Sequence, residues 1–141
     1  MRPRRQASAQ TVQWAVPLVT DDYCRMYGLD VDAAGNVYVA AEYGGTGDLD
    51  PGPSTVMATA AGYNDLLAMK FDATGALQWS YMVGSASSQR EWCTGIVADE
   101  QGNSWMTGGY AGVVDFDPGP GEVLQAGNST QAAFLVKLDP N

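Results

Sequence analysis

Histidine is missing from the chain, and with it the usual general base of hydrolases and the commonest transition-metal ligand. No serine or threonine has a legible base partner either, so nucleophilic catalysis has no apparatus and an enzyme is not expected. Cysteine is almost missing: Cys24 and Cys93 are too few for a disulfide framework, and their spacing is no metal motif. They read as two small, partly buried thiols, with a Cys24–Cys93 bridge, within or between chains, as the alternative. No apolar run approaches the roughly 18 residues of a membrane span, so insertion into a membrane is not expected. Basic residues are few, since Arg2, Arg4 and Arg5 sit at the N-terminus and only Arg25, Lys70, Arg90 and Lys137 remain against 16 acids. Such a surface repels phosphate backbones and anionic lipid, and nucleic acid is not an expected partner.

What the chain has is glycine, proline and repetition. Hydrophobic residues at 45%, with 17 Gly and 7 Pro in 141 residues, fit a soluble, turn-rich, all-β protein. Sliding the chain by 67 residues aligns 28–74 with 95–141 without a gap, and 14 of the 47 pairs are identical. They include Gly35-Asn36 with Gly102-Asn103, Tyr43 with Tyr110, and Asp48-x-Asp50-Pro51-Gly52-Pro53 with Asp115-x-Asp117-Pro118-Gly119-Pro120. Residues 11–16 match 76–81 at an offset of 65, so the loop that follows differs by two residues, as surface loops do. The first unit predicts four strands, near 26–31, 37–43, 66–71 and 76–82. Turns at 32–36 and 72–75 join them in pairs, and their Gly and Asn tolerate positive φ. The long segment between second and third strands, 44–65 and 111–132, has room for an extra short strand at 55–59 and at 122–126. Helical periodicity is absent.

The stretch Gly-Leu-Asp-Val-Asp-Ala-Ala-Gly-Asn-Val-Tyr-Val over 28–39, followed by Leu-Leu-Ala-Met-Lys-Phe-Asp-Ala-Thr-Gly-Ala-Leu-Gln-Trp over 66–79, resembles the bacterial SBBP-type β-propeller repeat. The Asp-Phe-Asp-Pro-Gly-Pro insertion is similar to a subset of that repeat common in large secreted proteins of environmental bacteria. The resemblance covers nearly all of 11–141. It implies two four-stranded propeller blades, a secreted, extracellular location in a bacterium, and no catalytic motif. Glu42 and Gly109 stand where the pattern usually has small polar residues.

The expected organisation is an N-terminal arm or signal remnant at 1–10, a strand at 11–18 completing a neighbouring blade, a first blade at 19–84, and a second at 85–141 lacking its last strand. Two blades span too little of a circle for their ends to meet, so the all-β fold is incomplete as a single chain and completed by strand exchange between chains. Copies would associate head to tail, with Val12, Trp14 and Val16 of one chain joining the sheet that holds Phe134 and Val136 of the next. Such contacts make a ring if the rotation closes and a filament if it does not. A piece of a longer propeller is the alternative. The function expected is a structural subunit of an extracellular oligomer or filament, with a glycan- or protein-binding propeller module as the second reading.

Asp48, Asp50, Asp115 and Asp117 are the repeated acidic pairs and the candidate ligands for Ca²⁺, a hard ion that takes six to eight oxygens. The simpler role is to accept hydrogen bonds from loop amides while Pro and Gly shape the turn. Trp14 and Trp79 hold matching positions and are expected in the core, whereas Trp92, without a counterpart, is the candidate glycan contact. Lys70 with Asp72 and Lys137 with Asp139 are expected to form solvated or blade-to-blade ion pairs. Asn128-Ser129-Thr130 has the form of a glycosylation sequon in a predicted loop.

Overall fold

The computed structural model of the chain describes residues 10–86, 90–128 and 131–140, so all but the last residue of the expected arm at 1–10, and part of the sequon at 128–130, lie outside it. The strands are β1 (Val19–Thr20), β2 (Tyr23–Val31), β3 (Val37–Gly44), β4 (Thr46–Asp48), β5 (Met57–Thr59), β6 (Asp65–Phe71), β7 (Leu77–Val83), β8 (Trp92–Ala98), β9 (Ser104–Tyr110), β10 (Val113–Asp115), β11 (Leu124–Ala126) and β12 (Ala132–Leu138). Among the described residues there is no helix. The main sheets are four-stranded, in the order β2-β3-β6-β7, and three-stranded, in the order β12-β9-β8; neither is closed. Small ladders β4-β5 and β10-β11 are built from the long segments, with β5 and β11 where the extra short strands were expected, and β1 pairs with β4.

Local chemistry explains the hairpins. Asp32 accepts from the amides of Ala34 and Asn36, each at 2.9 Å, and from Asn36 Nδ2 at 2.8 Å, while Gly35 supplies φ 84°. Asp99, Gly102 and Asn103 repeat this turn in the second unit, with Gly102 again at φ 84°. An Asp that satisfies its own turn closes the hairpin without help from the rest of the chain. The first strand starts at Tyr23, earlier than expected, because β3 runs on to Gly44 and offers it partners.

The two main sheets pack face to face. Tyr38, Ala40, Leu66, Ala68, Tyr81 and Val83 of the four-stranded sheet meet Cys93, Ile96, Met106, Tyr110 and Val114 in one core. The opposite face of the four-stranded sheet, with Val39, Ala41, Tyr43, Leu67 and Met69, is covered by Leu49 and Ala58 and by Val16 and Leu18 from the N-terminal segment. All of β3 is therefore buried. A fully buried Leu, Met or Val contributes roughly 1.5–3 kcal/mol, so two-sided burial makes β3 and β6 the centre of the fold.

The strand at 11–18 is expected in a sheet shared with another copy, and the single chain holds no such partner. Residues 10–18 carry no strand, and only Val19 and Thr20 pair, with Asp48 and Gly47. A strand needs an edge, and in the single chain this segment meets side chains and a turn instead: Trp14 Nε1 donates to Ala73 O at 3.1 Å, and Val16 and Leu18 join the second core.

Both first strands bulge at the same repeat position, where Tyr27 and Thr94 are the extra residues. The residues after the bulges, Gly28 and Gly95, touch. A Cβ on Gly28 would lie 2.8 Å from Gly95 Cα and 2.9 Å from Ile96 N, whereas a Cβ on Gly95 would meet nothing within 4 Å. Gly28→Ala should therefore push the sheets apart and cost about 1–3 kcal/mol in denaturant unfolding. Gly95→Ala should stay within about 0.5 kcal/mol of wild type. Equal effects of the two substitutions would rule out this contact as the spacer of the sheets.

Candidate functional site

The Asp-Pro-Gly-Pro loops are held together by their own carboxylates. Asp48 Oδ1 accepts from Asp50 N at 3.0 Å and Val56 N at 2.9 Å, and Asp50 Oδ1 accepts from Gly52 N at 2.7 Å. Asp115 and Asp117 do the same for Asp117 N, Val123 N and Gly119 N. The amides of Asp117 and Val123 hold the Asp115 carboxyl below its ordinary range. Among the described residues no three His, Cys, Asp or Glu side chains converge as a metal site.

Trp92 is half-buried at the start of β8, opposite Gly109 on β9. Its indole occupies the space that a side chain on Gly109 would need, so the ring completes the sheet. The cysteines are free thiols in different cores, Cys93 in the core between the sheets and Cys24 beside the other. Burial pushes the Cys93 thiol up to about 12, and its Sγ donates to Ala41 O at 3.1 Å. Lys70 does not pair with Asp72: its Nζ lies 5.4 Å from the Tyr38 ring centroid, as Lys137 Nζ lies 5.3 Å from that of Trp105. Asp72 is engaged in its own turn by Thr74, Ala76 and Gln78.

The expected assembly residues divide by face. Phe134 and Val136 point into the chain's own core, while Leu135, between them on β12, is 69% exposed. Val12 is 78% exposed, Trp14 is partly covered and Val16 is half-buried. Tyr81 and Val83 pack beside Met106, Tyr110 and Phe116 in one core; Val16 and Leu18 pack beside Val39, Tyr43 and Leu49 in the other. These are the same repeat positions. Pro51 and Leu77 flank Trp14 as Pro118 flanks Trp79. The N-terminal segment thus lies against the first unit as β7 lies against the second.

A polar cluster that the sequence reading passed over sits at one end of β2 and β3. Glu42, fully buried, pairs with Arg90 at 2.8 Å and accepts from Tyr23 Oη at 3.3 Å and Asn64 Nδ2 at 3.5 Å. Arg90 also reaches Tyr27 Oη at 3.1 Å, and Arg25 reaches the same hydroxyl at 3.4 Å with its guanidinium 5.3 Å from the Tyr23 ring centroid. Burial, helped by Tyr27 and the Glu42 charge, lifts the Tyr23 hydroxyl to about 12, so it stays protonated. The alternation Tyr23, Arg25 along β2 was the available signal. Asn64, Tyr63 and Arg90 come from elsewhere in the chain and carried none.

Behind the cluster lies Glu91, fully buried, with Oε1 accepting from Ser85 Oγ at 2.7 Å and Oε2 without a hydrogen-bond partner among the described residues. Burial lifts this carboxyl to about 7, with the Asp65 charge adding to the lift. Asp65 is itself raised by burial, although the amides of Ala61 and Gly62 oppose this.

No protein-family model, curated protein or solved structure matches the chain.

Because the folded value for Glu91 lies above the unfolded one, the folded state holds the extra proton. Its contribution is then fullest below about pH 4.5 and is lost as pH rises through about 7. Glu91→Gln keeps an acceptor for Ser85 and removes the buried charge, so it should raise the melting temperature by several degrees at pH 8. That advantage should shrink towards pH 4.5. A pH-independent difference in paired melting curves would show that the Glu91 charge is not what burial opposes.

Proposed function

We propose that the chain is a propeller-type structural unit that associates head to tail with copies of itself outside the cell. The observation that carries this reading is the contrast between β6 and β12, the same strand of the repeat. All but one residue of β6 is buried, whereas β12 alternates half-buried and exposed residues from end to end. β6 lies between β3 and β7 with cover on both faces; β12 has a free main-chain edge and a bare face of Ala133, Leu135 and Lys137.

The complementary surface is at the other end. Met26 and Leu29 on β2 are 49% and 62% exposed, yet their repeat counterparts Cys93 and Ile96 are 1% and 5% exposed inside the joint between the sheets. Each surface that one unit buries against the other is left uncovered once. Exposed apolar faces of this kind, beside an unpaired strand edge, favour association. In the proposed contact, Val12, Trp14 and Val16 of one copy extend along the β12 edge of the next. Val16 and Leu18 hold positions against the first unit that match those of Tyr81 and Val83 against the second, and pairing would turn their irregular segment into a strand. The bare face around Leu135 covers Met26 and Leu29. Repeating a heterologous contact gives a ring or a filament.

Leu135→Glu and Leu29→Glu change side chains that are exposed in the single chain, so each should leave its melting temperature nearly unchanged. Each should weaken association by at least about tenfold, since a carboxylate would be buried in the contact. Trp14→Ala should act in the same direction. Sedimentation across a concentration series reads this directly. A wild-type chain that stays monomeric at hundreds of micromolar, or assemblies unaffected by either Glu substitution, would overturn the self-association reading.

A further inference from the structure

Of the basic residues between 10 and 140, Arg25, Lys70, Arg90 and Lys137, two share one open cleft of about 360 Å³, lined by Asp22, Tyr23, Arg25, Tyr63, Asn64 and Arg90. In a chain of net charge −9 the cleft gathers two of these four cations, balanced by Asp22 in its lining and by Glu42 behind it. The two guanidiniums are not equivalent. Arg90 is occupied by Glu42, with contacts at 2.8, 3.2 and 3.3 Å. Among the described residues Arg25 hydrogen-bonds to the Tyr27 hydroxyl and lies over the Tyr23 ring, and it is exposed. It is a positioned cation facing solvent. Tyr63, 64% exposed, adds an uncovered ring to the same cleft.

The second unit repeats the scaffold but not this cluster: Trp92, Gly109 and Gln131 stand at the repeat positions of Arg25, Glu42 and Asn64. The turns and the Asp-Pro-Gly-Pro loops, which build the fold, are present twice. The scaffold thus accepts a different filling at these positions, the Trp92 ring over Gly109 in the second unit.

We propose that this cleft binds a uronic acid residue at the end of a short oligosaccharide. Arg25 takes the carboxylate, the Tyr63 ring takes the apolar face of the sugar, and Asp22 and Asn64 take its hydroxyls. Each group narrows the ligand class. A neutral sugar leaves Arg25 unused. A bare anion meets repulsion from Asp22, whereas a hydroxylated acid supplies a donor to it as well as a carboxylate to Arg25. A long polyanion is opposed by the acidic surface around the cleft, so the acidic residue is terminal rather than one of a run. The site is separate from the association surfaces, because Tyr23 and Arg25 alternate along β2 with Cys24 and Met26, which turn to the other side.

Methyl β-D-glucuronide and methyl β-D-glucoside differ only in carboxylate against hydroxymethyl, and amide chemical shifts of the full chain report both. The glucuronide should bind at least about tenfold more tightly, the usual effect of one charge-assisted hydrogen bond. Arg25→Gln should bring the two ligands within about twofold of each other, and Tyr63→Ala should weaken both by about tenfold. Both side chains are exposed, and unchanged melting curves would confirm intact folds. Equal affinity of the two glycosides for wild type, acetate binding as tightly as the glucuronide, or no shift with either sugar at tens of millimolar would overturn the proposal.

Discussion

Gly28 and Gly95 meet where β2 and β8 touch, and the missing side chain on Gly28 sets how near the two main sheets can come. Tyr38, Tyr81 and Met106 lose their solvent only because the sheets close to that distance. A larger residue there would open a gap along the whole joint, and dispersion falls off steeply with such gaps. The bulges at Tyr27 and Thr94 belong to the same region, since each directly precedes one of the two glycines, and it is the side-chain direction of Gly28 that faces the other strand. Asp30 Oδ2 then accepts from Ala98 N at 2.8 Å and pins the two strands farther along.

Much of the fold was legible because it is local and present twice. Hairpin positions followed from Asp, Gly and Asn at fixed offsets, and the extra strands from short alternating runs beside the Asp-Pro-Gly-Pro loops. The role of those loop aspartates as amide acceptors was also readable, because an Asx turn involves only neighbours. The state of 11–18 was not. Its likeness to 76–81 identifies a strand-forming sequence, but pairing depends on an edge that the likeness cannot supply. The seat of the Trp92 ring was hidden for a similar reason: the change that makes room for it is a glycine at 109 on the facing strand. The Tyr23, Tyr63 and Arg90 cluster is assembled across long sequence separations, and beyond the alternation of Tyr23 and Arg25 it left no pattern to find.

Acidity in this protein serves two opposed purposes. Asp32 and Asp72 sit below their ordinary range because Asn36 and Thr74 donate to them, so the turns they close favour the charged form. Glu91 and Asp65 are raised by burial and favour the protonated form. Turn and joint thus respond to pH in opposite senses, and the net charge of −9 says little about either. What matters is whether a carboxylate faces amides or apolar walls.

The contact of Gly28 with Gly95 also bears on the angle between the sheets. Two sheets held closest at their first strands and farther apart at their last are splayed like pages of a book, and the spine here is a pair of glycines. Any object made by repeating that joint inherits its curvature from this one separation. Were such an object to close into a ring, the count of its units would depend on a distance inside a single chain, set in part by a residue that has no side chain.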